Sequence, residues 1–319
     1  WKWAPAIAAG NTVVLKPSDT TPVSTLWMAE LMQEFLPEGV INVVVGDRDT
    51  GRALVEHEIP QMVSITGSVR AGMEVAGSAA KDLKKLHLEL GGKAPVVIFD
   101  DANLQAACEW IAVAGYFNAG QDCTAATRVL VQAGVYDEMV KLLADQATNQ
   151  IAMGMPDTDV LVGPVNNAAQ YARVNGFIER VPSHARVVAG ATVNSLGGYF
   201  IAPTVIADLK QSDELIQSEI FGPVITIQKF ETEAEAIALA NNTDYGLAAT
   251  LVCGDRPRAE RIAGQLVAGT VWVNCFFVRD LRAPFGGSRK SGIGREGGLW
   301  SFDFYCDVKN SVFAPKGWN

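Results

Sequence analysis

Histidine is nearly absent from this chain, and cysteine is thin. The three histidines, His57, His87 and His184, stand far apart with no HExxH spacing, so a sequence-local metal motif is missing and no metal is expected. The five cysteines (Cys108, Cys123, Cys253, Cys275, Cys306) are dispersed, odd in number and without a CxxC pair. That excludes a disulfide framework or a zinc cage and suits a reducing compartment, with the cytoplasm as the expectation. No uninterrupted apolar run reaches ~18 residues, so no helical membrane span and no membrane partner is expected. Basic residues are outnumbered, 26 Lys plus Arg against 35 Asp plus Glu, for a net charge of −9. A nucleic-acid partner is therefore not expected, because it would need the opposite footprint. There is no GxGxxG fingerprint within the βαβ series of residues 1–91, and no internal repeat or low-complexity linker. What remains is a globular composition, 49% hydrophobic and 19% charged over 319 residues, with room for two domains at ~150 residues each.

The chain opens Trp1-Lys2-Trp3-Ala4-Pro5, with no initiator Met and no signal pattern, and reads as entered part-way through a domain. Strand-like runs at Asn11–Lys16, Ile41–Gly46, Met62–Gly67 and Lys85–Leu90 then alternate with helical spacing at Pro22–Phe35, Asp49–His57 and Arg70–Ala80. This is the pattern of βαβ units and a parallel sheet. The second part is also mixed. Ala94–Phe99, Arg128–Gln132, Val224–Phe230, Ala248–Cys253 and Gly269–Asn274 read as strands. Leu104–Tyr116, Tyr136–Ile151, Glu233–Asn241 and Arg256–Leu266 read as helices. Gly286 to Gly298 is a glycine-rich loop, and Ser301–Ala314 alternates like a final strand. The βαβ series ends at Gly91-Gly92, the expected domain boundary.

In a parallel α/β sheet, ligands bind outside the carboxyl ends of the strands. Four strand ends here carry polar or bare residues: Lys16-Pro17-Ser18-Asp19, Gly46-Asp47, Thr66-Gly67-Ser68 and Glu89-Leu90-Gly91-Gly92. Gly67-Ser68 precedes a helix, where free N–H groups suit phosphate. Each site alone also reads as an ordinary turn; their coincidence at one rim favours a ligand. Cys123 lies in a polar Gly-Gln-Asp-Cys-Thr loop after a helix, unlike Cys108, Cys253 and Cys275, which read as small core residues. It is the candidate nucleophile. No histidine is near in sequence, so Glu89, ending a buried strand beside bare glycines, is the candidate base, against the plainer reading of a surface acid at a strand end.

At these residues the sequence resembles the aldehyde dehydrogenase superfamily. The resemblance rests on Asn11–Ser18 (NTVVLKPS), Thr66-Gly67-Ser68, Leu88–Lys93 (LELGGK), Gly120–Cys123 (GQDC), Glu219–Pro223 (EIFGP), and Pro284–Gly287 with Ser291-Gly292, in the family's order across essentially the whole chain. It implies an α/β fold: an incomplete Rossmann-like parallel-sheet cofactor domain (1–91), an α/β catalytic domain (92–298), and a C-terminal oligomerisation strand and tail (299–319). It implies NAD as cofactor, with NADP possible. Cys123 would attack the aldehyde, and Glu89 would activate the water that hydrolyses the thioester. Lys16, Ser18 and Asp19 would meet the adenosine ribose, and Gly67, Ser68, Leu90 and Gly91 would lie along the cofactor. Glu219 would hold the nicotinamide ribose beside Phe221, and Asn118 would play a supporting part. Asp19 would repel a 2′-phosphate and favour NAD, while Lys16 tempers that preference. The partner implied is a small-molecule aldehyde, and the full-length parent would be a homodimer or homotetramer. The family's asparagine donor upstream of Trp3 and the first strands are missing. Losing one oxyanion donor typically costs about 100- to 1,000-fold in turnover, so poor activity and poor solubility are expected of this chain by itself.

Two substrate groups compete. The segments Val273–Arg282 (VNCFFVRDLR) and Gly292–Gly298 (GIGREGG) resemble the muconic-semialdehyde dehydrogenases, where Arg279 or Arg282 would pair with a substrate carboxylate. The competing reading of these arginines is an internal ion pair with Asp280. Ala119–Ala125 (AGQDCTA), Trp1–Pro5 and Ser64–Ser68 resemble the aminobutyraldehyde and betaine-aldehyde dehydrogenases, where Asp122 and aromatic walls would suit a cation. The loop argument leans to a carboxylated semialdehyde such as 2-hydroxymuconic semialdehyde. Outside this class stand a cysteine hydrolase or acyltransferase without a nicotinamide, and an inactive structural fragment.

Overall fold

The computed structural model describes residues 1–192 and 196–318. The opening segments alternate as their spacing predicts: α1 (Trp3–Ala8), β1 (Val13–Leu15), α2 (Val23–Met32), β2 (Ile41–Val43), α3 (Arg48–Glu56), β3 (Met62–Thr66), α4 (Val69–Ala79) and β4 (Lys85–Glu89). Then come β5 (Pro95–Ile98), α5 (Leu104–Tyr116), β6 (Arg128–Gln132), α6 (Tyr136–Asp145), α7 (Ala168–Glu179), β7 (Arg186–Ala189), β8 (Thr204–Ala207) and α8 (Glu214–Gln217). The chain closes with β9 (Val224–Phe230), α9 (Glu233–Asn241), β10 (Ala248–Val252), α10 (Arg256–Ala263), β11 (Thr270–Val273), β12 (Gly292–Ile293) and α11 (Phe302–Tyr305). Helix starts are chemically marked. Asp47, Ser68, Asn103, Thr232 and Asp255 each accept a backbone N–H of the helix they open, satisfying a donor that has no partner inside the helix.

Three sheets result. β1 and β2 form a parallel pair, and β3 pairs parallel with β4. The large sheet has the order β11-β10-β5-β6-β9-β8-β7, parallel except for β7 against β8. Its central strands are buried at nearly every position because helices cover both faces. Val96 and Ile98 point with Val129 and Val131 toward a core shared with Ile111, Met139 and Leu143. Val97, Phe99 and Leu130 face the other way, onto Ala236 and Ile262. No helix among the described residues is long and apolar enough to cross a membrane.

Three expectations are corrected. The boundary at Gly91-Gly92 does not separate the chain cleanly, because β12 returns to pair antiparallel with β4, Gly292 opposite Glu89. Further ties run from the C-terminal segment to the first unit: Asn11 Nδ2 donates to the Tyr305 carbonyl at 2.9 Å and Lys85 Nζ to that of Cys306 at 2.6 Å. A cut at 298 would sever this unit. Second, Ser301–Ala314 is not a strand. It forms the short α11 and then irregular chain, with Val308, Val312 and Phe313 exposed; alternation makes a strand only where an edge is present to pair with. Asn319, the end of the expected tail, lies outside the described residues. Third, α7, β7 and β8 are additional elements that were not expected, and Tyr136–Ile151 divides into α6 and a π-helical turn at Gln146–Gln150. α2 buries only Ala29 and leaves Val23 and Trp27 exposed.

One charge is locked into the centre of the large sheet. Arg128 of β6 is fully buried and donates to the carbonyls of Leu239 (2.8 Å) and Ala240 (2.7 Å) near the end of α9. It caps both helix carbonyls, that of Leu239 together with the Asn242 N–H at 3.2 Å, and its burial lowers its pKa to about 9. Replacement by leucine removes both bonds and leaves the buried Ala240 carbonyl without the guanidinium. Arg128→Leu is expected to destabilise by about 2–4 kcal/mol in a urea titration; an unchanged midpoint would show that the guanidinium is not holding α9.

Candidate active site

Four glycines let three loops approach closer than side chains permit. A Cβ on Gly91 would stand 2.2 Å from Glu219 Oε2, and one on Gly92 2.2 Å from the Cys123 carbonyl oxygen. A Cβ on Gly120 would stand 2.1 Å from the Gly222 carbonyl oxygen, and one on Gly222 2.6 Å from Val174. The loop after β4, the loop after α5 and the turn before β9 are therefore pressed together, backbone on backbone. Ser291 ties a fourth segment in: its Oγ donates to the Gly91 carbonyl at 2.7 Å and accepts the Gly246 N–H at 3.0 Å, and its carbonyl accepts the Leu90 N–H at 2.9 Å.

Cys123 sits at this convergence, half-buried. Asn118, Ala119 and Gly120 take left-handed φ angles of 54°, 55° and 69°, turning the chain sharply after α5. Asn118 and Gln121 close the turn with reciprocal side-chain bonds of 3.0 and 3.1 Å to each other's carbonyls. Burial first, then the charges of Asp122, Glu219 and Glu89, push the Cys123 thiol up to about 12, with Arg279 pulling the other way. The resting form here is the thiol, in keeping with the expectation that the sulfur needs a base.

Glu89 ends β4, 5% exposed, and its backbone carbonyl accepts the Gly67 N–H at 3.0 Å. Its Oε1 lies where a Cβ on Gly286 would come within 2.8 Å. Burial raises its pKa to about 7, against the opposing pull of Lys2, Arg295 and Arg279. Lys2 Nζ donates to Glu296 Oε2 at 2.6 Å. His87, on the same side of β4 two residues away, is completely buried and stacked on Phe304 at 4.2 Å. His87, Glu89 and Glu296 offer ligand atoms within 4.8 Å of one another, but the Lys2 ammonium already supplies that cluster with its cation.

The sequence-derived cofactor residues fall in two places. Lys16, Ser18 and Asp19 line an open cleft of about 670 Å³ together with Asp47, Arg48, Asp49 and Arg52. Lys16 Nζ donates to the carbonyls of Pro17 and Gly46 at 2.7 and 3.0 Å. Ser68 caps α4, and Leu90 is buried where a Cβ on Gly72 would meet its methyl carbons at 2.5 Å. Glu219 Oε1 accepts the Gly92 N–H at 2.9 Å. Burial raises Glu219, and that N–H, Lys93 and Arg173 counter it. Phe221 adopts a left-handed φ of 58°, held by Gln170 Nε2 on its carbonyl at 2.6 Å.

The substrate candidates separate. Arg279 lies over the Phe285 ring at 4.4 Å and acts on both Cys123 and Glu89. Arg282 instead closes a bidentate pair with Asp280, 3.0 and 2.7 Å, far out in solvent. Asp122 turns Oδ1 into its own loop, accepting the Thr124 N–H and hydroxyl at 2.6 Å each. Sequence reasoning assigned no role to Lys2, His87 or Glu296 and did not foresee the pairing of Trp1 with Phe285 (5.8 Å) or of Phe117 with Phe277 (5.9 Å). His87 was legible in one respect: it alternates with Glu89 on one strand.

Comparison with known proteins places this geometry. The sequence profile of the Aldehyde dehydrogenase family matches residues 1–311. A betaine aldehyde dehydrogenase of Cereibacter sphaeroides is 42% identical over 99% of this chain and 66% of its own length. An aldehyde dehydrogenase of Emericella nidulans is 43% identical over 97% of this chain and 63% of its own. The crystal structure of betaine aldehyde dehydrogenase from Staphylococcus aureus in complex with NAD+ superimposes with a TM-score of 0.92 at 38% identity, covering 95% of this chain and 62% of that one. The chain thus spans about two thirds of the length of the curated relatives it matches.

The raised thiol has a direct consequence. Below its pKa the thiolate fraction grows about tenfold per pH unit. Alkylation of Cys123 by iodoacetamide, followed by peptide mass spectrometry, is expected to accelerate accordingly between pH 7 and 9. A rate flat across that range would mean a thiolate already present at neutral pH.

Proposed function

The chain belongs to the aldehyde dehydrogenase family, and on that premise we propose that its site oxidises an aldehyde to a carboxylate, with Cys123 as nucleophile and Glu89 as base. The observation that carries this reading is the convergence of Cys123, Glu89 and Glu219 on the glycine contacts at positions 91, 92 and 120. Sγ adds to the aldehyde carbon to give a thiohemiacetal, and its proton leaves to a base. Loss of hydride gives a thioester; water attacks it as Glu89 takes the water's proton, the C–S bond breaks, and the carboxylate departs with Cys123 Sγ regenerated. A base with a pKa near 7 is ionised in part at neutral pH and still strong enough to act. Covalent capture divides a hard reaction into two easier ones.

The residues present fit a nicotinamide dinucleotide. The cleft of Lys16, Ser18 and Asp19 would take the adenosine ribose, and Ser68 at the start of α4 the pyrophosphate. Gly91, having no Cβ, lets the Glu219 carboxylate sit against its backbone with Oε1 on the Gly92 N–H, and Oε2 would meet the second ribose. NAD+ when bound supplies the hydride acceptor. Asp19 supports NAD over NADP, and Lys16, Arg48 and Arg52 in the same cleft temper that preference.

For the substrate, the betaine aldehyde dehydrogenases among the relatives support a cationic aldehyde, an aminoaldehyde or betaine aldehyde, over the carboxylated semialdehyde favoured by the loop sequence. The exposed aromatic faces of Trp1 and Phe117 suit an ammonium group. A carboxylated semialdehyde stays as the second reading on one observation, the Arg279 guanidinium over Phe285; Arg282, paired with Asp280, adds nothing to it.

Glu89→Gln is expected to keep a single-turnover burst of NADH and lower steady-state kcat by about 100-fold or more; full turnover would remove Glu89 from the mechanism. With wild-type protein, kcat is expected to fall as pH drops below about 7, because only the carboxylate form accepts a proton. Betaine aldehyde or 4-aminobutanal is expected to give a higher kcat/KM than 2-hydroxymuconic semialdehyde. The reverse order, abolished by Arg279→Gln, would establish the second reading.

A further inference from the structure

Two buried polar atoms in this site face each other without completing a hydrogen bond. His87 Nε2 and Glu89 Oε1 are 3.3 Å apart, and each lacks a hydrogen-bond partner among the described residues. The opposite ring nitrogen is well supplied. His87 Nδ1 lies 3.0 Å from Ser64 Oγ and 3.4 Å from Lys2 Nζ, with Glu296 Oε2 at 3.9 Å. An ammonium only donates. With Lys2 at Nδ1, that nitrogen must accept, and the ring proton belongs on Nε2.

We propose that His87 is the positioning residue for the base: held neutral with its proton on Nε2, it donates to Glu89 Oε1 and thereby leaves Oε2 as the oxygen that takes the proton. This deepens the reading of Glu89 as base and rests on it. The ring cannot turn away, because Phe304 stacks flat against it, interplanar angle 5°, and it is completely enclosed. The hydrogen bond suits both states of Glu89, since Oε1 accepts either as carboxylate or as the carbonyl oxygen of the acid. The proton drawn from the attacking water therefore goes to Oε2 and the ring keeps its own. Burial and the adjacent Lys2 charge drive the His87 pKa down to about 4, against Glu296, so the ring does not compete for that proton. The charged and titratable groups around the pair are Lys2, Glu296, Arg295, Arg279 and Cys123, with Tyr305 bonded to Ser64.

The chain has only three histidines, which makes the tautomer directly observable. In the full chain labelled with ¹⁵N-histidine, His57→Gln and His184→Gln assign the remaining ring by long-range ¹H–¹⁵N correlation. The expected result is a protonated, pyrrole-type Nε2 and an unprotonated Nδ1 at neutral pH. The Nε2 shift should follow a titration near pH 7 that vanishes in Glu89→Gln. A proton on Nδ1, an imidazolium, or a response indifferent to Glu89→Gln overturns the proposal, whether or not the protein turns over. Kinetically, loss of the donor in His87→Leu should raise the Glu89 pKa. The acid limb of kcat is then expected to move up by about one pH unit, with KM little changed, and His87→Gln, which keeps an N–H, should restore part of it. An acid limb unmoved in His87→Leu counts against the proposal. Undiminished turnover in Cys123→Ala or Glu89→Gln would instead defeat the reaction assignment, and the tautomer measurement still decides the His87–Glu89 bond.

Discussion

The site depends on backbone passing against backbone at distances that a single methyl group would forbid. Gly91 against Glu219, Gly92 against the Cys123 carbonyl and Gly120 against the Gly222 carbonyl are contacts where a Cβ would overlap its neighbour. Each lies between segments distant in sequence, and together they fix the relative positions of a sulfur, a base and a buried carboxylate. The large sheet contributes rigidity. Its strands are covered on both faces, so the loops leaving it spring from a frame that cannot shift without opening a close-packed core.

Close approach also means dryness, and dryness governs the charges. Glu89, Glu219 and Cys123 are all raised, and burial is the largest cause for each. The protein compensates one of them locally: Glu219 receives the Gly92 N–H. Glu89 is treated differently. Its cation, Lys2, is committed to Glu296 at 2.6 Å and reaches Glu89 only through space. A direct ion pair would hold the carboxylate charged and make it a poor base, whereas a partly compensated one keeps it near the middle of its titration.

Much of this was legible in the sequence, and the limits have physical reasons. Strands such as Ala94–Phe99 and Arg128–Gln132 declare themselves because burial on both faces demands unbroken apolar runs. The proposed nucleophile stood out as a cysteine in a polar loop, and the rim residues as polar strand ends. The antiparallel return of β12 to β4 was not legible: two residues, Gly292 and Ile293, carry no periodicity, and their pairing is decided by a segment two hundred positions away. The alternation at 301–314 misled for the complementary reason, since pattern without an available edge makes no strand. The Lys2–Glu296–His87 cluster escaped because charged residues at opposite ends of a chain show nothing local; only the i, i+2 spacing of His87 and Glu89 hinted that they share a side. Arg279 and Arg282 look equivalent on paper, and only geometry separates the one that bears on the sulfur from the one tied to Asp280.

The proton affinities set a condition on the chemistry. Burial raises the Cys123 thiol far more than the Glu89 carboxyl beside it, so complete proton transfer from sulfur to Glu89 is uphill in the resting protein. A thiolate formed that way is too rare to be the resting nucleophile. Three carboxylates, Asp122, Glu219 and Glu89, push the thiol up electrostatically and one guanidinium, Arg279, opposes them. Neutralising any of the three, or bringing positive charge beside Sγ, would narrow the gap and favour the thiolate that the proposed mechanism needs. The same enclosure that assembles the groups therefore holds Cys123 as the thiol at neutral pH, the form less prone to alkylation and oxidation.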